Sequence, residues 1–190
     1  MSVSNMHQAL PAELAEKFRD KSWGAEQLAK ISIFRNFTEK ELLVLYDYGE
    51  IRSFRPKSHA VIEGEPTRGL YIILNGTVSV YKTNDVSGTL HRLAILEEGA
   101  NFGELSLFDH APRTATVAAE STCHMFYLDA EVFERYLNEL GDQGTARFYK
   151  ACAEELVGRF RNLNEDYVSA QQLLWKYALR KPESEDQSEA

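Results

Sequence analysis

Between Gly49 and Leu128 the chain is cut into short apolar or alternating runs with turn residues between them. Ile51 to Phe54 leads to Pro56, and His59 to Ile62 leads to Gly64-Glu65-Pro66. Leu70 to Leu74 is apolar throughout, Asn75-Gly76 follows, and Thr77 to Tyr81 alternates. Asn-Gly between two such runs predicts a two-residue hairpin. Ser87-Gly88 marks another turn before a strand from Thr89 to Leu96, which Glu97-Glu98-Gly99 ends. Thr114 to Ala118 and Cys123 to Leu128 close the series. Many short strands at this spacing predict an all-β barrel or jelly roll, flanked on both sides by segments of helical period.

Leu10, Leu14 and Phe18 recur every four residues in the N-terminal segment, Pro11 suits a first turn, and Trp23-Gly24 is expected to break the helix before Leu28. This segment either packs on the domain or a partner subunit, or serves as a docking arm. Thr38 with Glu41 three residues on is a capping box, and Leu42, Leu43, Leu45 and Tyr46 give the following helix its apolar face. Asp129 is placed to cap a helix over 130–140, and Gly141 breaks it. Helical period then runs from Asp142 to Lys181, with Pro182 as the stop. Tyr149, Ala153, Leu156, Phe160, Leu163, Tyr167, Ala170, Leu174 and Tyr177 alternate spacings of four and three, a heptad stripe. At 1.5 Å per residue that helix is about 50 Å long, more than one small barrel is wide. The stripe therefore either meets its copy on a second subunit or folds back over its own barrel. The acidic residues 182–190 are expected to be disordered.

The chemistry is concentrated in Phe102 to Val117, Phe-Gly-Glu-Leu-Ser-Leu-Phe-Asp-His-Ala-Pro-Arg-Thr-Ala-Thr-Val. Gly103 tolerates backbone angles that a side chain resists and lets a ligand approach the main chain. If Glu104 to Leu107 open a short helical turn, their amides converge as an anion site. Arg113 adds a planar cationic fork suited to phosphate oxygens. Glu104 beside a phosphate makes sense only if it faces away and accepts from a hydroxyl. Phosphate and hydroxyl close together describe a ribose phosphate.

That run resembles the phosphate-binding cassette of the cyclic nucleotide-binding domain family, whose pattern is Phe-Gly-Glu-Leu-Ala-Leu, a short spacer, then Pro-Arg-Ala/Ser/Thr-Ala-Thr-Val. The spacer has the length found in kinase-type members, and a looser resemblance extends from about Ile33 to Leu137. The resemblance implies an α+β fold: a β-jelly-roll (double-stranded β-helix) barrel flanked by N-terminal helices and a long C-terminal helix. It implies that Arg113 holds the cyclic phosphate, that Glu104 holds the ribose 2′-hydroxyl, and that amides near Leu105 and Ser106 complete the cradle. Phe102, Gly103, Pro112, Thr114 and Ala115 fall within the same ligand-binding set, with Thr114 within reach of the phosphate or a guanine amino group. Phe148, Tyr149 and Cys152 are the candidates for covering the base. The implied ligand is cAMP or cGMP, with cAMP favoured. One departure is visible: the family carries a glycine near Ser58, so Ser58 is expected to take a strained turn. The organisation expected is a helical segment 1–32, the binding domain 33–140, the long helix 141–181 for base lid and dimerisation, and the tail 182–190.

Metal-dependent cupin enzymes share jelly-roll architecture, but no two of His7, His59, His91, His110 and His124 have the spacing of a strand-borne metal site. No enzyme and no metal are expected. A net charge of −8 weakens the case for DNA binding, and no segment after Leu179 resembles a helix-turn-helix. No apolar run reaches membrane-spanning length, the N-terminus lacks a signal peptide, and Cys123 and Cys152 lie far apart as free thiols do. The expectation is a cytoplasmic, non-catalytic cyclic-nucleotide sensor, a homodimer through its last helix, acting on a separate effector protein. The alternative is an adaptor that keeps the fold and binds protein without nucleotide.

Overall fold

The computed structural model describes residues 10–84, 87–108 and 111–178. Three helices lead into the barrel: α1 (Ala12–Arg19), α2 (Lys21–Ala29) and α3 (Glu39–Tyr48), with a 3-10 turn at Ser32–Phe34. The strands are β1 (Glu50–Phe54), β2 (His59–Val61), β3 (Gly69–Asn75), β4 (Val78–Thr83), β5 (Leu90–Leu96), β6 (Asn101–Phe102), β7 (Thr116–Ala119) and β8 (Cys123–Asp129). They form two antiparallel sheets, β1-β8-β3-β6 and β2-β7-β4-β5, the two walls of a jelly roll. A second 3-10 turn, Glu104–Leu107, lies between β6 and β7, and α4 (Ala130–Ala178) follows β8. Two compact units result, one up to Ala151 and one from Cys152 onward. No helix of the described residues is long and apolar enough to cross a membrane.

The core lies between the sheets, where Phe54, Val61, Tyr71, Ile73, Val78, Phe102, Val117, Met125 and Tyr127 meet. The unbroken apolar run of β3 has a second cause. Ile72 pairs with Phe126 on β8, and the Phe126 ring stacks on Tyr46 of α3 at 5.1 Å. Both faces of β3 are therefore covered, and alternation disappears as it does in any strand buried on two sides.

The capping box forms as read: Thr38 N–H donates to Glu41 Oε2 at 2.7 Å, and Glu41 N–H to Thr38 Oγ1 at 3.4 Å. Asp129 Oδ1 accepts from the amides of Glu131 and Val132 at 2.9 and 3.3 Å, capping α4. Gly141 breaks α4 with φ 68°, ψ −175°, a region essentially reserved for glycine.

Three local expectations are corrected. The N-terminal break falls at Asp20, whose carboxylate caps α2 through Ser22 and Trp23, so Trp23 and Gly24 sit inside a helix. Gly24 is there because a Cβ would lie 2.4 Å from the Tyr46 ring. Asn75-Gly76 is not a ladder hairpin: β3 and β4 belong to different sheets, and the turn is a corner between them. A Cβ on Gly76 would come within 2.7 Å of Cys123 Sγ and Thr122 O. The left-handed residue before β2 is Lys57 (φ 69°), not Ser58. Pro56 and Lys57 occupy the central positions of a turn in which Ser58 N–H reaches Arg55 O at 3.1 Å, so the strain falls one residue earlier. Finally, β6 has no periodic signal in the sequence and exists through its pairing with Tyr71 and Ile72.

The expectations for residues 179–190, including the stop at Pro182, and for Met1 to Gln8 and His110 lie outside the described residues. Cys123 and Cys152 are free and buried.

Candidate functional site

Gly103 ends the β6 segment in the left-handed conformation, φ 81°, ψ 9°, and turns the chain into the Glu104–Leu107 turn. A side chain is excluded twice over. Its Cβ would stand 2.5 Å from Arg113 Nη1 and 2.6 Å from Gly69 O. Gly103, Glu104, Leu105 and Ser106 meet Ala111, Pro112, Arg113, Thr114 and Ala115 around one cavity of about 170 Å³. Phe102, Val61, Val80 and Val117 complete its walls. The three valines stand side by side, since Val117 pairs with Val61 on one side and with Val80 on the other.

Arg113 is 7% exposed. Its Nε donates to Thr67 Oγ1 at 3.2 Å, Nη1 to Ser106 Oγ at 3.1 Å and Gly103 O at 3.5 Å, and Nη2 to Gly69 O at 2.9 Å. These acceptors are all uncharged. Burial is the largest influence on the guanidinium and, with Arg52 nearby, lowers its pKa; Tyr71, Tyr127 and Glu104 pull the other way. It remains a cation, desolvated and facing a cavity, the arrangement that an anion completes. Its main chain is fixed as well, with Arg113 N–H donating to Glu65 O at 2.9 Å and Gly64 N–H to Arg113 O at 2.8 Å.

An aromatic layer supports the site from the core. Phe102 stacks on Tyr71 at 4.9 Å and 8°, and the Arg113 guanidinium carbon lies 5.9 Å from the Tyr71 ring centre. Arg52 donates to the Tyr71 hydroxyl at 2.9 Å and lies 3.4 Å over the Tyr127 ring. Burial, the largest effect, raises the Tyr71 phenol despite its two cationic neighbours, so it stays neutral at physiological pH. Ser106, 5% exposed, gathers the rest of the network: it accepts from Gly69 N–H at 2.9 Å and donates to Gly103 O at 2.7 Å. Thr114 is exposed at the rim, and its carbonyl accepts from Lys82 at 2.9 Å. Lys82 is itself held by Glu63 at 2.5 Å.

All nine cassette residues singled out from the sequence line the cavity. Phe148, Tyr149 and Cys152 do not. Phe148 is 1% exposed because its ring is enclosed by Phe34, Phe37, Phe108 and Phe133, at centroid distances of 6.5, 6.2, 5.6 and 4.9 Å. Tyr149 is 54% exposed, and Cys152 is buried. The sequence reading missed Val61, Val80, Ala111 and Val117 as lining residues, and Thr67 and Gly69 as the partners of Arg113. Alternation in β4 marks Val80 as inward-facing. Thr67 and Gly69 carry no local signal, because they meet Arg113 across more than forty residues of chain.

Residues 51–139 match the family model of the cyclic nucleotide-binding domain. The cAMP-dependent protein kinase type II regulatory subunit of Drosophila melanogaster is 30% identical over 130 residues, 68% of this chain and 34% of that protein. The chain thus spans about a third of the length of that curated relative. Among solved structures, a cyclic nucleotide-binding domain from Methylobacillus flagellatus shares the fold at 24% identity and a TM-score of 0.67, over 81% of this chain and 85% of that one. The cAMP-bound PfPKA-R is similar at 26% identity and a TM-score of 0.56, over 68% of this chain and 43% of that one. The cassette geometry, the two-sheet fold and these similarities agree: residues 51–139 make up a cyclic nucleotide-binding domain.

Proposed function

We propose that this protein is a non-catalytic sensor of a cyclic mononucleotide, with cAMP favoured over cGMP. Arg113 takes the cyclic phosphate together with the amides of Leu105 and Ser106, and Glu104 accepts from the ribose 2′-hydroxyl. Thr114, at the exposed rim, meets the outer end of the ligand. The observation that carries this reading is the Arg113 guanidinium, buried against the cavity and, among the described residues, hydrogen-bonded to neutral acceptors. A phosphate supplies the missing charge, and charge-assisted hydrogen bonds are each worth about 1.5–3 kcal/mol. The similar PfPKA-R carries cAMP, which supports the choice of base. The output passes to a separate effector protein, as the similarity to a kinase regulatory subunit suggests. The exposed side chains of Leu156, Phe160, Leu163 and Leu174 support a homodimer through the last helix.

Calorimetry of cAMP and cGMP on the wild type, Arg113→Ala and Arg113→Lys tests the site. Circular dichroism of each variant separates lost binding from lost fold. Wild type is expected to bind cAMP more tightly than cGMP, and Arg113→Ala to lose at least about tenfold in affinity. Equal affinities in wild type and Arg113→Ala would remove the arginine from the site. No rise in melting temperature with either nucleotide favours the protein-binding adaptor instead.

A further inference from the structure

Arg68 lies between the two residues that hold Arg113. Thr67 offers its hydroxyl to Arg113 Nε at 3.2 Å, and Gly69 its carbonyl to Nη2 at 2.9 Å. The Arg68 side chain turns the other way and touches two elements at once. Nε donates to Ser106 O at 3.3 Å, in the 3-10 turn of the cassette. Nη2 meets Glu134 Oε1 at 3.1 Å, on the 130–140 part of α4. The Arg68 main chain is tied down independently: the Tyr127 hydroxyl lies 2.8 Å from Arg68 O and 3.1 Å from Oδ2 of Asp129, the residue that caps α4.

We propose that Arg68 is a positioning residue coupling the phosphate site to α4. The role deepens the ligand reading above and rests on it. A guanidinium is planar, so donors at Nε and Nη2 fix the angle between the Ser106 carbonyl and Glu134, as a lysine does not. Ser106 is where the load enters. Its hydroxyl touches Arg113 at 3.1 Å, and its carbonyl holds Arg68. When Arg113 adjusts to a phosphate, Ser106 moves with it, and Arg68 carries that movement to Glu134. The Glu134 side chain is 52% exposed, so the pair is a weak and reversible link, suited to a switch more than to a permanent brace.

Hydrogen exchange on the full chain tests this, with Glu134→Gln and Arg68→Lys as variants. Without nucleotide, each variant is expected to speed exchange of the Ser106 and Phe108 amides about threefold, the scale of an exposed ion pair. The mutated carboxylate is on another element, and a simple surface salt bridge leaves those amides unchanged. With cAMP, exchange across 131–140 is expected to slow in the wild type and to lose at least half of that slowing in Glu134→Gln, while calorimetry still registers binding. Turn exchange equal to wild type in both variants overturns the coupling, and so does unaltered slowing of 131–140 in Glu134→Gln. If cAMP gives no heat with the wild type while both variants loosen the turn, the mechanical link stands and the nucleotide reading falls.

Discussion

Phe148 and Phe160 are the same amino acid on the same helix, twelve positions apart, and they have opposite fates. Phe148 is 1% exposed within a cluster of four other phenylalanine rings, whereas Phe160 is 63% exposed. Residues 142–151 are pinned by long-range partners. Arg147 pairs with Glu41 of the α3 capping box and donates to Asn36 O at 3.3 Å, and Thr145 Oγ1 donates back across the Gly141 break to Leu137 O at 3.0 Å. Beyond Cys152, Arg159 donates to Glu155 and Gln171 to Tyr167, each a partner four residues away. Periodicity marks which face of a helix is apolar. It says nothing about what covers that face: the heptad stripe is exposed from Tyr149 through Leu156, Phe160 and Leu163, while Phe148 and Ala151 beside it are buried.

The sharpest way to break the contrast is to truncate both rings. Phe148→Ala is expected to cost about 3–5 kcal/mol, the usual toll for a buried phenylalanine. Phe160→Ala is expected to stay within about 0.5 kcal/mol for the isolated chain. Urea denaturation reads both, and sedimentation reads whether Phe160→Ala weakens self-association. Similar losses in the two variants would erase the distinction. Next comes the hinge between the capped helix and its continuation. Nothing crowds Gly141, yet its φ/ψ pair is one that alanine resists. Gly141→Ala is therefore expected to lose about 1–3 kcal/mol from backbone strain alone, measured as a lowered melting temperature.

The smallest effect concerns the Glu41–Arg147 contact. Burial pushes the Glu41 carboxyl up, but the Thr38 amide and Arg147 outweigh it and hold the pKa below its usual value. A depressed carboxyl stabilises the fold above its unfolded pKa and loses that contribution as pH falls through the folded value. Glu41→Gln keeps an acceptor for the Thr38 amide but removes the charge facing Arg147, and is expected to cost about 0.5–1 kcal/mol at neutral pH. The gap to wild type is expected to narrow as pH falls through the depressed Glu41 pKa, followed by denaturant melts at successively lower pH. A constant gap would assign the cost to packing.

Much of the fold was legible wherever the signal was local. Thr38 with Glu41, Asp129 before a helical run and Gly141 within one each act through backbone groups a few residues away, and each appears in place. The misreadings have a common origin in distant partners. Local propensity makes Gly24 a helix breaker, because the Tyr46 ring that demands it lies in another helix. Asn75-Gly76 reads as a hairpin because a turn does not reveal which sheet its second strand will join. In the site, the run from Phe102 to Val117 announced its glycine, acid and arginine, while Thr67, Gly69 and Val61 were silent.

Sequence alone determined the strand-and-turn rhythm, the helix caps and the cassette with its glycine, acid and arginine, since each rests on backbone propensity or on residues adjacent in the chain. Only the tertiary structure decided that neutral carbonyls and hydroxyls surround Arg113, that Arg68 reaches both Ser106 and Glu134, and that Phe148 is enclosed while Phe160 is not. Those outcomes depend on side chains brought together from separate parts of the chain, and no local preference encodes such a meeting.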